Sequence, residues 1–247
     1  MPKRNFNESR SIRVTPHYIE HPAGSVLIEV GDTKIICTAS VEESVPRWMA
    51  GKGEGWVTAE YDMLPGSTSS RKPRDARKGR VNGRTQEISR LIGRSLRAAV
   101  DMKKLGEFMI TIDCDVIQAD GGTRTASITG GFIALGLALK HLEAEGKLKE
   151  SPISNNVSAI SVGLLNGEPV VDLDYAMDST ADVDMNVVMT DSESLVEIQG
   201  TAEHALFSRA QLNQMLDLAF GTLSKLTEVQ NQAINTPYQA QRATIEV

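Results

Sequence analysis

The sequence predicts an α+β protein in which two strand-rich halves each lead into a long helix. Two hairpin signals and three stretches of helical period carry that reading. Strand-like runs flank Gly31-Asp32, so Ser25–Val30 and Thr33–Ser40 form one hairpin, and Asn166-Gly167 turns a second between Val157–Leu165 and Pro169–Asp174. The apolar period changes to that of a helix over 84–99, 125–145 and 208–230. A chain of 247 residues can bury one large core, and no linker divides it. It reads as a single domain over residues 1–230, with halves at about 10–145 and 155–230, followed by a polar, flexible tail over 231–247.

The remaining elements follow in order. Ser11–Thr15 reads as a short strand ahead of the first hairpin, and Trp56–Tyr61 as another after it. Leu64–Arg80, LPGSTSSRKPRDARKGR, has few large apolar residues and many cations, which predicts a mobile loop. In the helix after it, Ile88, Leu91, Ile92, Leu96 and Ala99 form a buried stripe, while Arg90, Arg94 and Arg97 take the wet face. Glu107–Gln118 alternates as a strand with Phe108, Ile110, Ile112, Cys114 and Val116 on one face. The helix over 125–145 is apolar nearly all round, hence central. Ala181–Met189 and Leu195–Gln199 are further strands. Ser208 then opens the last helix with Gln211 in capping-box position, and Leu212, Met215, Leu216, Ala219, Leu223 and Leu226 face the core.

Composition narrows the function. Hydrophobic residues at 40% and charged residues at 23% are those of an ordinary globular protein. The N-terminus is polar and no run approaches the ~20 apolar residues of a membrane span, so a cytoplasmic protein with no membrane partner is expected. Cys37 and Cys114 lie in apolar runs and read as buried thiols. Charge is segregated: residues 71–104 hold twelve Lys/Arg against three Asp/Glu, on a chain whose net charge is −6. Such a one-signed patch is an electrostatic footprint for a polyanion, although a solvated loop has the same composition.

Two stretches carry chemistry. In ADGGTRTASITGGF, 119–132, the Gly121-Gly122 pair brings backbone amides close to a ligand, and Thr123, Arg124, Thr125 and Ser127 supply donors where a helix begins. That suits phosphate; a capped strand-to-helix turn uses the same residues. Arg84 falls on the inward side of its helix's first turn, where a guanidinium needs an anion or a distant carboxylate. The second stretch, DLDYAMDSTADVDMN, puts Asp182, Asp184 and Asn186 on one strand face with Asp178 six residues before Asp184. Two converging carboxylates can hold Mg²⁺ or move a proton, and an acidic cluster can also merely guard a sheet edge.

Three segments, GRTQEISRLIGRSLRA at 83–98, IDCDVIQADGGTRTASITG at 112–130 and VDLDYAMDSTADVDMNVVM at 171–189, resemble the ribonuclease PH family of phosphate-dependent exoribonucleases, which includes polynucleotide phosphorylase and exosome ring subunits. The resemblance runs from about Asn7 to Glu228, with no departure at a motif position. It implies a two-layer α+β domain resembling the second domain of a ribosomal protein, mixed sheets packed on helices, assembled as a hexameric trimer of dimers. It implies phosphate binding by Arg84, Gly122, Thr123 and Arg124, catalysis or Mg²⁺ binding by Asp178 and Asp184, and RNA binding by Arg71, Arg74, Arg77 and Arg80. The implied reaction is 3′→5′ phosphorolysis of precursor tRNA and other structured RNA 3′ ends, with inorganic phosphate as co-substrate, nucleoside diphosphates as products and the reverse addition accessible. A hydrolytic metal-dependent nuclease and an RNA-binding ring subunit without catalysis are the rival readings.

Overall fold

The computed structural model describes residues 4–74, 79–238 and 245–246. Two sheets enclose one long helix. The first contains β1 (Ile12–Pro16), β2 (Gly24–Val30), β3 (Thr33–Glu42), β4 (Trp56–Met63), β5 (Met109–Gln118) and β10 (Ile245–Glu246), ordered β10-β1-β2-β3-β5-β4. All its neighbours run antiparallel except β4 and β5, which are parallel and joined across α1 (Gly83–Arg97) and the single turn α2 (Met102–Leu105). The second sheet is antiparallel, ordered β7-β6-β8-β9, from β6 (Val157–Leu165), β7 (Glu168–Val171), β8 (Val183–Thr190) and β9 (Leu195–Ala202).

Between them lies α3 (Thr123–Ala144), which contacts β2, β3 and β5 on one side and β6 on the other. It is long and apolar enough to cross a membrane, yet it is the buried centre of this protein. Its glycines bring backbones together: a Cβ on Gly130 would lie 2.7 Å from Ile28 Cγ2. Close packing of this kind offsets the roughly 1 kcal/mol that a glycine costs against alanine inside a helix. The two thiols face the same core, since Cys37 and Cys114 are directly opposed between β3 and β5, free and buried.

The last helix, α5 (Arg209–Ile234), opens on the expected capping box: Ser208 Oγ accepts the Gln211 N–H at 3.2 Å, and Gln211 Oε1 accepts the Ser208 N–H at 2.9 Å. It continues past Gln230, where the sequence pattern fades. Gln230 Nε2 donates to the Thr129 and Val157 carbonyls, Ala233 is fully buried, and Ile234 packs on Gly136 of α3. The expected tail thus begins in helix and returns at Ile245–Glu246 as a two-residue strand on β1; residues 239–244 and 247 lie outside the described residues.

Candidate active site

Four chain segments meet where the two sheets adjoin. At the carboxyl ends of the parallel pair, β5 runs into the 119–122 loop and β4 into the basic arm, while α1 returns with Arg84. From the other sheet come the segment after β7, the single turn α4 (Tyr175–Asp178) and the start of β8. They line a cleft of about 570 Å³ that holds Arg84, Gly122, Thr123, Arg124, Asp178 and Asp184 together. These residues are far apart in sequence; the fold converges them.

Gly121 and Gly122 take positive φ, +74° and +64°, and turn the chain from β5 into α3, whose first residues line the cleft and whose first amides have no side-chain cap. A Cβ on Gly121 would collide with the Leu173 carbonyl, so this loop lies directly on the segment that carries the acids. Arg124 is held from behind: Nη1 donates to Gln199 Oε1 at 2.8 Å, Nη2 lies 3.6 Å from Glu87 Oε2, and Gln199 Nε2 bridges to Glu87 at 3.1 Å. That bracket fixes the guanidinium in the cleft wall. Thr123 Oγ1 shares a hydrogen bond of 2.9 Å with Tyr61 Oη, whose phenol is pushed up by burial and stays protonated.

Arg84 departs from expectation in one respect. It is exposed at the cleft mouth, because Thr85 takes the inward position beside Ile88, and no carboxylate pairs with its guanidinium among the described residues. Its own N–H is capped by Asn82 at 3.0 Å. An unpaired cation lining the same cleft as the 121–124 backbone makes that part of the cleft attractive to an anion.

The acids are arranged unequally. Asp178 ends α4, whose first turn Asp174 caps by accepting the Met177 N–H at 2.9 Å. Asp184 stands on β8 with Asn186, and both line the cleft with Ser161 of β6. The expected third member is elsewhere: Asp182 precedes the strand and accepts the Gly167 N–H at 3.1 Å, fastening the β6–β7 turn. Burial first, then the charge of Asp178, pushes the Asp184 carboxyl up to about 6, against the lowering influence of Arg124 and Arg84. Asp178 is raised as well, mainly by burial.

The arm is less loose than its composition predicts. Ser67 is buried, its carbonyl accepts the Ala119 N–H at 2.8 Å, and the Lys72 N–H donates to the Pro65 carbonyl at 2.9 Å, so the arm's root is tied to the 119–122 loop. Arg71, Arg74 and Arg80 are exposed on it; Arg77 lies outside the described residues. Lys72, Tyr61 and Tyr175 belong to the site without having been expected there. Lys72 lines the cleft beside Met63, and Tyr175, 65% exposed, stands at its mouth. A lone tyrosine or one lysine among many carries no spacing signal.

Comparison with known proteins gives the family and the fold. Residues 8–140 match the 3′ exoribonuclease family, domain 1, and residues 155–222 its domain 2. The chain is 55% identical over 235 residues to a ribonuclease PH from Corynebacterium kroppenstedtii, covering 95% of this chain and 92% of that one. Among solved structures, rice Rrp46 superposes with a TM-score of 0.75 at 15% identity, covering 94% of this chain and 98% of that one. A chain of the Archaeoglobus fulgidus exosome, determined with RNA bound to the active site, gives 0.76 at 21% identity over 92% and 90% of the two chains. These two share the fold.

Proposed function

The chain belongs to the 3′ exoribonuclease family and is a phosphorolytic 3′→5′ exoribonuclease that uses inorganic phosphate as co-substrate; we propose that it trims 3′ extensions of precursor tRNA and other structured RNA ends in the cytoplasm, with the cleft residues in the following roles. Arg84, the Arg124 fork, the Thr123 hydroxyl and the Gly122 loop hold the attacking phosphate and spread its charge. A phosphate oxygen attacks the last phosphodiester phosphorus, the bond from that phosphorus to the 3′ oxygen breaks, and a nucleoside diphosphate leaves. Asp184 gives its proton to the departing 3′ oxygen. A carboxyl held near 6 suits that task, since about a tenth of it is protonated at pH 7 and the proton is readily transferred. One observation carries the reading: an unpaired arginine, a braced arginine and two raised carboxyls face each other across one cleft.

A divalent cation fits the donors present in a limited way. Asp178 and Asp184 offer two hard oxygen ligands whose charges repel, and no set of three or more metal-ligating side chains exists among the described residues. That matches Mg²⁺ retaining most of its waters rather than a protein cage. Bound there, the ion would keep Asp184 ionised and would neutralise charge on the phosphate and on the leaving 3′ oxygen in place of the proton transfer, not beside it. Product identity tests the assignment. Nucleoside diphosphates should form from an extended tRNA only with added phosphate; monophosphates formed without it would mean hydrolysis.

The arm gives a separate expectation. Alanine at Arg71, Arg74, Arg77 or Arg80 should weaken binding of extended tRNA and flatten its salt slope by roughly one unit per phosphate contact. A short oligoribonucleotide that fills the cleft without reaching the arm should turn over almost normally. Equal losses on both substrates would remove these arginines from the RNA track. We further propose a hexameric trimer of dimers, which the fold shared with exosome chains supports, and light scattering of the purified chain decides it.

A further inference from the structure

We propose that Arg10, gripped by Asp172 and assisted by Thr33, is a positioning residue that holds the phosphate loop at its working distance from Asp178; the proposal rests on the phosphorolytic site described above. The loop has little of its own to fix it. Gly121 and Gly122 have no side chains and occupy left-handed backbone, so whatever grips the main chain of Asp120–Gly122 sets where the first amides of α3 point.

Thr125 Oγ1, from the first turn of α3, donates to the Gly122 carbonyl at 2.9 Å, and two side chains from elsewhere in the chain supply the rest of that grip. Thr33 Oγ1 accepts the Asp120 N–H at 2.9 Å and donates to the Gly121 carbonyl at 2.7 Å, fully buried at the start of β3. From the other direction the Arg10 guanidinium donates to the Asp120 carbonyl, and its Nη2 lies 3.2 Å from where a Gly122 Cβ would stand.

Arg10 is in turn locked to Asp172. Nε donates to Oδ2 at 2.9 Å, Nη2 to Oδ1 at 2.7 Å, and the Arg10 backbone N–H to Oδ2 at 2.7 Å, with the Arg10 side chain 10% and the Asp172 side chain 2% exposed. Arg4 closes the other side of the carboxylate at 3.0 Å. Burial pushes the Asp172 carboxyl up, but hydrogen bonds and charge from Arg10 more than reverse this and hold it below its ordinary range. Asp172 adopts φ +57°, unfavourable for a residue with a side chain, and this turn ends β7 and starts the segment Leu173-Asp174 that leads into α4 and Asp178. One ion pair therefore spans the loop that would hold phosphate and the segment that carries a catalytic carboxyl.

The same ion pair also anchors residues 4–10, and a purely structural role would be confined to that anchoring. Thr33 separates the two, because its side-chain hydrogen bonds go to Asp120 and Gly121 of the loop. The full-length chain is assayed on a short oligoribonucleotide over a phosphate series, with folding followed by circular dichroism. Arg10→Lys keeps the charge but not the fork, and Thr33→Val keeps the shape but not the hydroxyl. Both should raise the phosphate KM about tenfold or more while kcat changes by less than about threefold, and Thr33→Ser should restore the wild-type KM. An unchanged phosphate KM in folded Thr33→Val overturns the inference, even if Arg10→Lys fails to fold. So does a Thr33→Ser variant as impaired as Thr33→Val. Failure of the wild-type chain to make nucleoside diphosphate is a distinct result, which removes the underlying assignment of the site and this inference with it.

Discussion

Asp184→Asn should keep phosphate and RNA bound while phosphorolysis falls by roughly 10²–10⁴-fold, the range that a lost proton donor commands. An amide is close in size to the carboxyl it replaces and can still donate a hydrogen bond, but it cannot release a proton to the 3′ oxygen at neutral pH. Single-turnover release of nucleoside diphosphate, measured beside filter binding of the same RNA, separates chemistry from affinity. Near-normal turnover would end the assignment. The variant should also show a stability signature. The folded chain holds the Asp184 proton more tightly than an unfolded chain would, with the carboxyl raised from 3.8 to about 6. Stability from that proton is fully present below pH ~4 and lost as pH rises through about 6. Asp184→Asn should therefore melt higher than wild type at pH 8, by up to roughly 3 kcal/mol, and should gain nothing at pH 4.

Much of the fold is legible in local pattern because both hairpins carry residues that tolerate left-handed backbone at the turn. Gly31, Asn166 and Gly167 do take positive φ. The stripe Ile88, Leu91, Ile92 and Leu96 is buried as its period requires, and so is the alternation Ile110, Ile112, Cys114 and Val116. What alternation cannot show is where a strand stops for reasons outside it. β7 ends at Val171 because Asp172 is turned by its two arginine partners, which lie more than 160 residues away. Likewise Asp182 satisfies the parity of the β8 face and still points at the Gly167 amide, since the strand begins one residue later.

The site was legible through motif and not through spacing alone. Arg84, Arg124 and Asp184 stand on α1, α3 and β8, and nothing in the period of any one element says that these meet. Their shared chemistry does, in that cations and amides without local partners require an anion. Supporting groups are harder to see. Glu87 reads as an ordinary outer-face glutamate of α1 and Gln199 as an edge-strand polar residue, yet together they brace the Arg124 fork. Ser67 sits in a run that looks unstructured by composition, and its burial under Ala119 is a tertiary fact.

Arg124→Ala should cost phosphate use about as much as Asp184→Asn costs chemistry, and by a different route. Removing the fork leaves Arg84 and Lys72 as the only cations lining a cleft that also holds Asp178 and Asp184, among the described residues, so an incoming phosphate meets nearly balanced charge. It also strips Glu87 and Gln199 of the partner they share. A lost charge-stabilising donor of this kind is worth about 2.7–4 kcal/mol, so kcat/KM for phosphate should fall roughly 10²–10³-fold. Arg124→Lys should recover only part of this, because an ammonium keeps the charge and not the two parallel donors. The pH profile supplies an independent check. Arg124 lowers the Asp184 carboxyl, so its removal should move the alkaline limb of kcat/KM, which reports the free enzyme, to higher pH. Phosphate's own titration is common to both proteins, and the displacement between their profiles isolates the Asp184 contribution. A phosphate KM and an alkaline limb both left in place by Arg124→Ala would show that the fork neither receives phosphate nor faces Asp184 during turnover.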